Sequence, residues 1–406
     1  MSCAQRCAVL GFGLMLAAAS TEARELEFSI ESRIAGDSNV FRKNSDQVAD
    51  GFHALSPRVV VREANSKLNY LFSYRPTYET YFKTSGIDGF DHRARGDLSW
   101  RPTAVDTFGL TGNFTSSRNL RIEDQSGPSN PAPSLEESDR ERVQRSGARF
   151  SYDRALSEVL SVQVSATFDD LTFSRNTSID SRAFSGQLST QYVLNPITAV
   201  GLFGTFSARE NRGSGSQFTT ETEIWNLAAS FQRALTPTLN ISAQAGPSFI
   251  RTKQISPVPA FPDTESQSTS YFAAVVLNKT WPRSDFKTSY TRSESSGGGS
   301  ASSSINDNVT LDFNHRISRH WSLRIFGSWL QSKEIEEVPV PGIGNQDRIQ
   351  FRALVRATRR ITRHLSVAGQ FSFFTQDQDE SAGSESIGEI FSGFLSLQYT
   401  FDPVVF

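Results

Sequence analysis

Cysteine is almost absent from this sequence. Its 406 residues include only Cys3 and Cys7, both at the N-terminus. A small secreted domain that depends on disulfides carries several cysteines, so that class of protein is excluded. Long apolar runs are missing as well. Beyond the N-terminal region no segment approaches about 18 consecutive apolar residues, so the sequence predicts no transmembrane helix.

Motifs for catalysis and metal binding are also missing. The sequence has five histidines, none paired with another at a metal-ligand spacing. It has no glycine-rich phosphate loop and no Gly-x-Ser-x-Gly turn. An Asp, His and Ser set could be chosen from the chain, but no spacing selects one. We therefore predict no enzyme activity, no catalytic residue, no metal site, no cofactor and no nucleic-acid partner.

The N-terminal residues are typical of an export signal. A basic start with Arg6 precedes a small apolar run at 8–19, and Thr21-Glu22-Ala23 offers small residues where a signal peptidase reads. The run is too short to span a membrane, and the alternative is a buried core helix. We predict a signal peptide over residues 1–23, cleavage after Ala23, and one exported domain over 24–406.

The rest of the chain consists of short segments in which apolar and polar residues alternate. One example has an apolar face of Leu160, Val162, Val164, Ala166 and Phe168. Alternation of this kind predicts strands with one apolar and one polar face. About 18 such segments (16–18) follow one another, and short connections alternate with longer ones, as periplasmic turns and external loops do in outer-membrane barrels. The predicted fold is all-β, a single antiparallel transmembrane β-barrel in the outer membrane.

The last predicted strand, near 388–401, supports the barrel over a soluble β-sandwich. Its apolar face ends in Tyr399 and Phe401, and Phe394 is the one large apolar residue on the polar face. Aromatic residues elsewhere also gather towards strand ends, as in the interfacial girdles of membrane barrels. A sandwich would place its large aromatics mid-strand. Whether the loops at 36–54 or 121–139 fold into the pore stays open.

Arginine is the candidate functional residue. It outnumbers lysine, although the formal net charge of the chain is only −2. Residues four apart on one strand face lie about 13 Å from each other, so Arg352, Arg356 and Arg360 form a ladder up the predicted lumen. The full candidate anion path comprises Arg352, Arg356, Arg360, Arg93, Arg95, Arg324, Arg58 and Arg62.

The alternative for these arginines is structural pairing with acidic residues on neighbouring strands. The available partners are Asp97, Asp153, Asp312, Glu79 and Glu389. A narrow wet lumen would focus the field of unpaired arginines on passing anions, whereas paired arginines would only hold the wall together. The sequence leaves both readings open.

A local run resembles a known family. Gly36-Asp37-Ser38-Asn39-Val40-Phe41-Arg42 is followed by Leu55-Ser56-Pro57-Arg58-Val59, by Leu68-Asn69-Tyr70 and by Arg75 through Tyr81. This order resembles the β-barrel porins found with exopolysaccharide and exosortase loci. The resemblance covers roughly residues 30–82 and implies an outer-membrane exit for polysaccharide, with periplasmic polysaccharide-export components as partners.

The leading functional prediction is thus a porin-like channel that exports a polysaccharide, either anionic or polar. The alternatives are a general diffusion porin for small solutes and a structural or adhesive barrel without conductance. In all three cases we expect outer-membrane lipid, lipopolysaccharide and the barrel assembly machinery as partners.

Overall fold

The structure is a computed structural model that describes residues 24–41, 47–118, 142–174, 180–212, 219–256, 263–296, 303–334, 347–378 and 387–405. The predicted signal peptide at 1–23 and the predicted loop at 121–139 lie outside the described residues. No helix in these ranges is long and apolar enough to cross a membrane. Within them, no cluster of histidine, cysteine and acidic side chains is suited to hold a metal ion.

Strands make up almost all of the described chain, and the only helical element in it is a 3-10 turn at Ser85–Ile87. The strands are β1 (Glu25–Asp37), β2 (Asp50–Ala64), β3 (Leu68–Tyr81), β4 (Gly89–Trp100), β5 (Asp106–Ser117), β6 (Val143–Ala155), β7 (Leu160–Phe173), β8 (Asp180–Asn195), β9 (Thr198–Arg212), β10 (Thr219–Thr236), β11 (Leu239–Ile255), β12 (Thr264–Trp281), β13 (Ser284–Ser296), β14 (Ser303–Arg316), β15 (Trp321–Glu334), β16 (Arg348–Arg360), β17 (Leu365–Gln378), β18 (Ile387–Thr400) and β19 (Val404–Val405).

The sheet closes on itself. Each of the first 18 strands pairs antiparallel with its neighbours in the chain, and β1 also pairs with β18. This seam runs from Ser29 opposite Thr400 to Asp37 opposite Ser392. Closure leaves no long edge with unpaired backbone groups, which is the condition for a sheet to sit in lipid. The predicted all-β, 18-stranded antiparallel barrel is confirmed.

The two-residue β19 extends the seam. After Asp402 and Pro403 the chain resumes its pairing with β1, with Leu26 opposite Val404 and Glu25 opposite Val405. The proline therefore interrupts the last strand without ending its contact with the first.

One predicted boundary was wrong. The loop predicted at 36–54 is shorter than expected, because β2 already begins at Asp50. Pro57 lies inside β2, where it faces Ile30 of β1, and the ladder to β3 skips the residues around it. Because that ladder is interrupted, the missing N–H of proline is tolerated.

The ends of the barrel are named here by their connections. At the turn end, β8 joins β9 through residues 196–197 and β10 joins β11 through 237–238. The opposite end is the loop end, where β5 and β6 meet. The long connections predicted there include residues outside the described ranges, so the predicted contrast in loop length stays a prediction.

The two faces of each strand differ as the alternation predicts. On β8, Phe184 and Leu188 point outward and Leu188 is 54% exposed. Their neighbours Ser185 and Gln187 point into the lumen, opposite Ser207 and Thr205 of β9. An apolar outer face exposed to this extent needs lipid around it, because in water it would be a large apolar surface prone to aggregation.

Lysine substitutions at two adjacent positions test this orientation. Leu188→Lys places a charge in the lipid belt and should lower the free energy of unfolding by about 2–4 kcal/mol near the bilayer centre. Gln187→Lys is the matched control, because its lumenal side chain stays wet and should change stability by less than about 0.5 kcal/mol. Urea unfolding in lipid vesicles, followed by tryptophan fluorescence, measures both. Equal effects of the two substitutions would contradict the assigned faces.

Candidate functional site

The strand register decides which arginines face the lumen. On β16, Phe351 and Val355 are exposed on the outer face, so Arg352 and Arg356 lie on the inner face. Following the pairs from strand to strand places all eight predicted arginines on the inner face, namely Arg58 and Arg62 on β2, Arg93 and Arg95 on β4, Arg324 on β15, and Arg352, Arg356 and Arg360 on β16. Their role in an anion path stays a prediction.

These arginines occupy one side of the barrel. Strands β15 to β18 and β1 to β4 are consecutive around the ring, because β18 pairs with β1. We call their inner face the arginine wall. Arg33 of β1 and Arg75 of β3 belong to it as well. Arg33 was not among the predicted residues, although its position between the apolar residues Phe28 and Ile34 of an alternating strand was a usable signal.

Some of these arginines are paired, as the structural alternative predicted. Arg62 contacts Glu25 at 2.6 Å, Arg95 contacts Asp97 at 2.8 Å, and the guanidinium of Arg324 donates to both carboxylate oxygens of Asp312. Bidentate pairs of this kind fix the side chains and cancel much of their charge.

Of the three other predicted acidic partners, one lies near an arginine and two do not. Glu79 lies 3.8 Å from Arg33, whereas Asp153 accepts a hydrogen bond from Gln163. Glu389 is exposed on the outer face of β18, away from the lumen. Ion pairs with acidic residues therefore neutralise only some of the arginines in the arginine wall.

Three of the predicted arginines keep their charge. Arg58, Arg356 and Arg360 make no ion pair with any acidic residue in the part of the chain that the structure describes. Arg356 and Arg360 lie on the inner face of β16 towards the turn end, with Thr358 between them. Cations in a lumen that have no ion-pair partner attract passing anions.

An inward aromatic ring organises the arginines at the seam. Phe394, the exception in the alternation of the last strand, is 9% exposed and points into the lumen opposite Ala35. The guanidinium of Arg33 lies 5.3 Å from its ring centroid and that of Arg356 lies 5.7 Å away. Cation–π contacts hold both cations against one ring. Arg356 keeps its charge there, whereas Arg33 also lies beside Glu79.

A second such contact lies further along β16. Arg352 is 5% exposed, and its guanidinium lies 5.6 Å from the ring centroid of Phe326 on β15. Arg324 contacts the same ring at 5.8 Å. Together the two rings contact four arginines from three strands, and two of these arginines, Arg352 and Arg356, belong to the predicted ladder.

The segment Ser38–Phe41, which we call the inward segment, turns from the loop end into the lumen. Val40 is 2% exposed and packs in one cluster with Ala35, Phe52 and Phe394, all on the inner face. The segment is the central part of the motif that carried the family resemblance. The question left open for residues 36–54 thus has a partial answer, since these residues occupy lumenal space next to the arginine wall.

Hydrogen bonds fix the inward segment to the seam. The carboxylate of Asp37 accepts a bond from the backbone N–H of Asn39 at 2.9 Å. Ser38 and Phe391 of β18 exchange two bonds of 2.9 Å, one through the Ser38 hydroxyl oxygen. The Val40 N–H donates to the carbonyl of Val48, also at 2.9 Å. The turn therefore has a defined conformation on the wall.

Comparison with known proteins gives only distant similarities to solved structures and nothing about the solute. No protein-family model and no curated protein sequence matches the chain. Among solved structures, the outer membrane protein OpdK from Pseudomonas aeruginosa is similar at 8% identity and a TM-score of 0.43, over 94% of this chain and 99% of that one. The OccK2 (OpdF) structure from the same organism with glucuronate matches at 7% identity and a TM-score of 0.44, over 93% and 98%.

A transporter structure is similar to the same degree. The ferric citrate transporter FecA in its unliganded form matches at 10% identity and a TM-score of 0.47, over 92% of this chain and 64% of that chain. These structures are outer-membrane barrels, and at such scores nothing about the solutes or partners of this chain follows from them.

Releasing the inward segment should widen the lumen. Asp37→Ala combined with Ser38→Ala removes the acceptor for Asn39 and the hydroxyl that accepts from Phe391, each worth about 0.5–1.5 kcal/mol. Single-channel conductance in planar bilayers should rise. Ser392→Ala is the control, because the Ser392 hydroxyl bonds to that of Ser372 and not to the segment. An unchanged conductance in the double variant would show that the segment does not narrow the conducting path.

Proposed function

We propose that this barrel is an outer-membrane channel for passive passage of polar solutes, with a preference for anions. The observation that carries the proposal is the set of inward arginines, Arg58, Arg356 and Arg360, that lack an acidic partner among the described residues. Charges inside a narrow barrel act through a low-dielectric wall, so a few of them bias ion passage strongly. The proposal includes no chemical step.

The cargo that we propose is a polysaccharide with carboxylate groups. Two observations support it: the resemblance over residues 30–82 to porins of exopolysaccharide loci, and the planar guanidinium groups of the arginine wall, which match carboxylates in a bidentate manner. Export of a long chain also requires periplasmic components that deliver it, and we expect these as partners. Insertion by the barrel assembly machinery and contact with lipopolysaccharide follow from the same location.

A second candidate is a diffusion porin for small solutes. The inward segment favours it, because Val40 and Phe41 occupy lumenal space that a polymer would need. Deletion of the gene separates the two candidates. Loss of surface polysaccharide with normal uptake of small solutes supports export, whereas slower uptake of small anions with intact polysaccharide supports the porin.

Reversing the charge of the ladder tests the anion preference. Arg356→Glu with Arg360→Glu should shift the reversal potential in a salt gradient from anion towards cation selectivity, because the lumen loses two cations and gains two anions. Arg359→Glu is a matched control, since Arg359 is next to Arg360 in sequence but lies on the outer face against the ring of Trp321. Its selectivity should stay close to that of the original protein.

Three outcomes would contradict the proposal in different ways. Cation selectivity of the unmodified barrel would remove the anion preference. Equal shifts in Arg359→Glu and in the lumenal double variant would show that the charges act from outside the pore. The absence of any conductance step would favour a structural or adhesive barrel.

A further inference from the structure

The inner wall across the lumen from the seam differs in chemistry from the arginine wall. In the ring of 18 strands, β10 is nine strands from β1 in either direction. The inner faces of β8, β10, β11 and β12 carry no charged residue at all, only small, apolar, hydroxyl and amide side chains. On β9, between them, Arg209 near the loop end is the only inner-face charge. We call this region the neutral wall.

A pair of aromatic rings lies on the neutral wall. Phe203 of β9 and Phe272 of β12 point into the lumen, with ring centroids 5.8 Å apart and planes tilted by 37°. Both are inner-face residues that keep part of their surface open. Aromatic side chains are rare on the inner face of the neutral wall, where most other positions are Ser, Thr, Asn or Gln. The rings therefore form an isolated apolar patch in a polar surface.

The two strands between the rings approach each other closely. Phe203 faces Ala228 of β10, and Phe272 faces Gly246 of β11. A Cβ on Gly246 would lie 1.9 Å from the carbonyl oxygen of Leu227 and 2.6 Å from the Cα of Ala228. Only glycine fits at this position, and with alanine beside it the wall between the two rings has almost no side-chain bulk. Between the two rings, the inner surface of the wall therefore consists mainly of the backbone at Ala228 and Gly246.

Polar rows flank this patch on both sides. Towards the loop end, Thr205, Asn226, Ser248 and Ser270 face one another in register across four strands. Towards the turn end, Ser230 faces Gln244. Neutral amides and hydroxyls can each donate and accept, which suits a ligand that does both.

The row at the loop side has spare hydrogen-bonding capacity. Asn226 donates from Nδ2 to the Thr205 hydroxyl at 3.0 Å, while its Oδ1 is buried and has no hydrogen-bond partner. Ser248 is 0% exposed, and its hydroxyl is also without a partner. Both of these atoms lie beneath the surface, so a ligand in the lumen would meet this row through Thr205 and Ser270, which keep part of their surface open.

From this arrangement we propose that the neutral wall holds a binding subsite for an uncharged sugar unit, centred on Phe203 and Phe272. A pyranose ring has an apolar face of C–H groups and a rim of hydroxyls. The aromatic pair offers a surface for the face, and the amide and hydroxyl rows offer partners for the rim. No charge lies in the patch, so it selects for neutral units. The subsite rests on the proposed passage of polysaccharide and adds that uncharged residues of the chain follow this wall.

Block of the ion current by a neutral oligosaccharide tests the subsite. Maltohexaose added to the full-length channel in a planar bilayer should cause transient blockades. Phe203→Leu with Phe272→Leu keeps the apolar bulk but removes both ring faces, and should shorten the blockade time about fivefold. Ion selectivity should not change. Phe326→Leu, which removes an inward ring of the arginine wall, is the matched control and should leave the blockade time as it was.

The outcomes separate the subsite from the channel proposal. A conducting channel without maltohexaose blockades, or blockade times unchanged in the double variant, would overturn the subsite and leave the channel intact. Equal shortening in Phe326→Leu would also overturn it, because binding would then not be located on the neutral wall. If the barrel does not conduct, the channel proposal fails. Calorimetric binding of maltohexaose to the detergent-solubilised protein, lost in the double variant, would then still support the site, and no binding would overturn it.

Discussion

The closed ladder of backbone hydrogen bonds is the constraint on which the rest of this structure depends. In lipid an unpaired N–H or C=O costs several kcal/mol, so the first and last strands must meet. Side chains alternate strictly along a strand, so one register at the seam fixes both faces all the way round. Because Leu395 faces Ile34 on the outside, Phe394 and Ala35 must face the lumen. A slip by one residue would turn Arg352 and Arg356 towards lipid, at about 2–4 kcal/mol for each arginine near the bilayer centre.

Local pattern predicted most of the fold and the orientation of the arginines. Strands such as β7 and β8 have clear alternation, and in a barrel that period alone assigns the lumenal face. The inward segment could not be predicted in the same way. Nothing within Ser38–Phe41 shows that its anchor is Phe391, which is 353 residues away from Ser38 in the chain. The start of β2 was missed for a similar reason, because Asp50 is held by the backbone and hydroxyl of Thr84 across a loop.

The contacts within the arginine wall also could not be predicted from local sequence. Phe394 broke the alternation of the last strand, and this irregularity was visible in the sequence. Its contacts with Arg33 and Arg356 were not, since they join three strands, and the contact with Arg33 exists only because closure of the barrel places β1 beside β18. Which arginines are neutralised was also open, because Asp312 and Asp97 pair with arginine while Asp153 and Glu389 do not. Charge counts alone give a nearly neutral chain and hide a lumen with one arginine-rich side and one side almost free of charge.

The attachment of the inward segment has a consequence for assembly. Ser38 bonds to the backbone of the last strand, so its site exists only after the C-terminal end of the chain has been inserted and the seam has formed. Contacts between residues so far apart in sequence form late, because chain entropy opposes them until the intervening strands are in place. The lumen of a partly inserted barrel would therefore not yet contain the inward segment. By this argument, the inward segment takes its place in the lumen only once the first and last strands have joined.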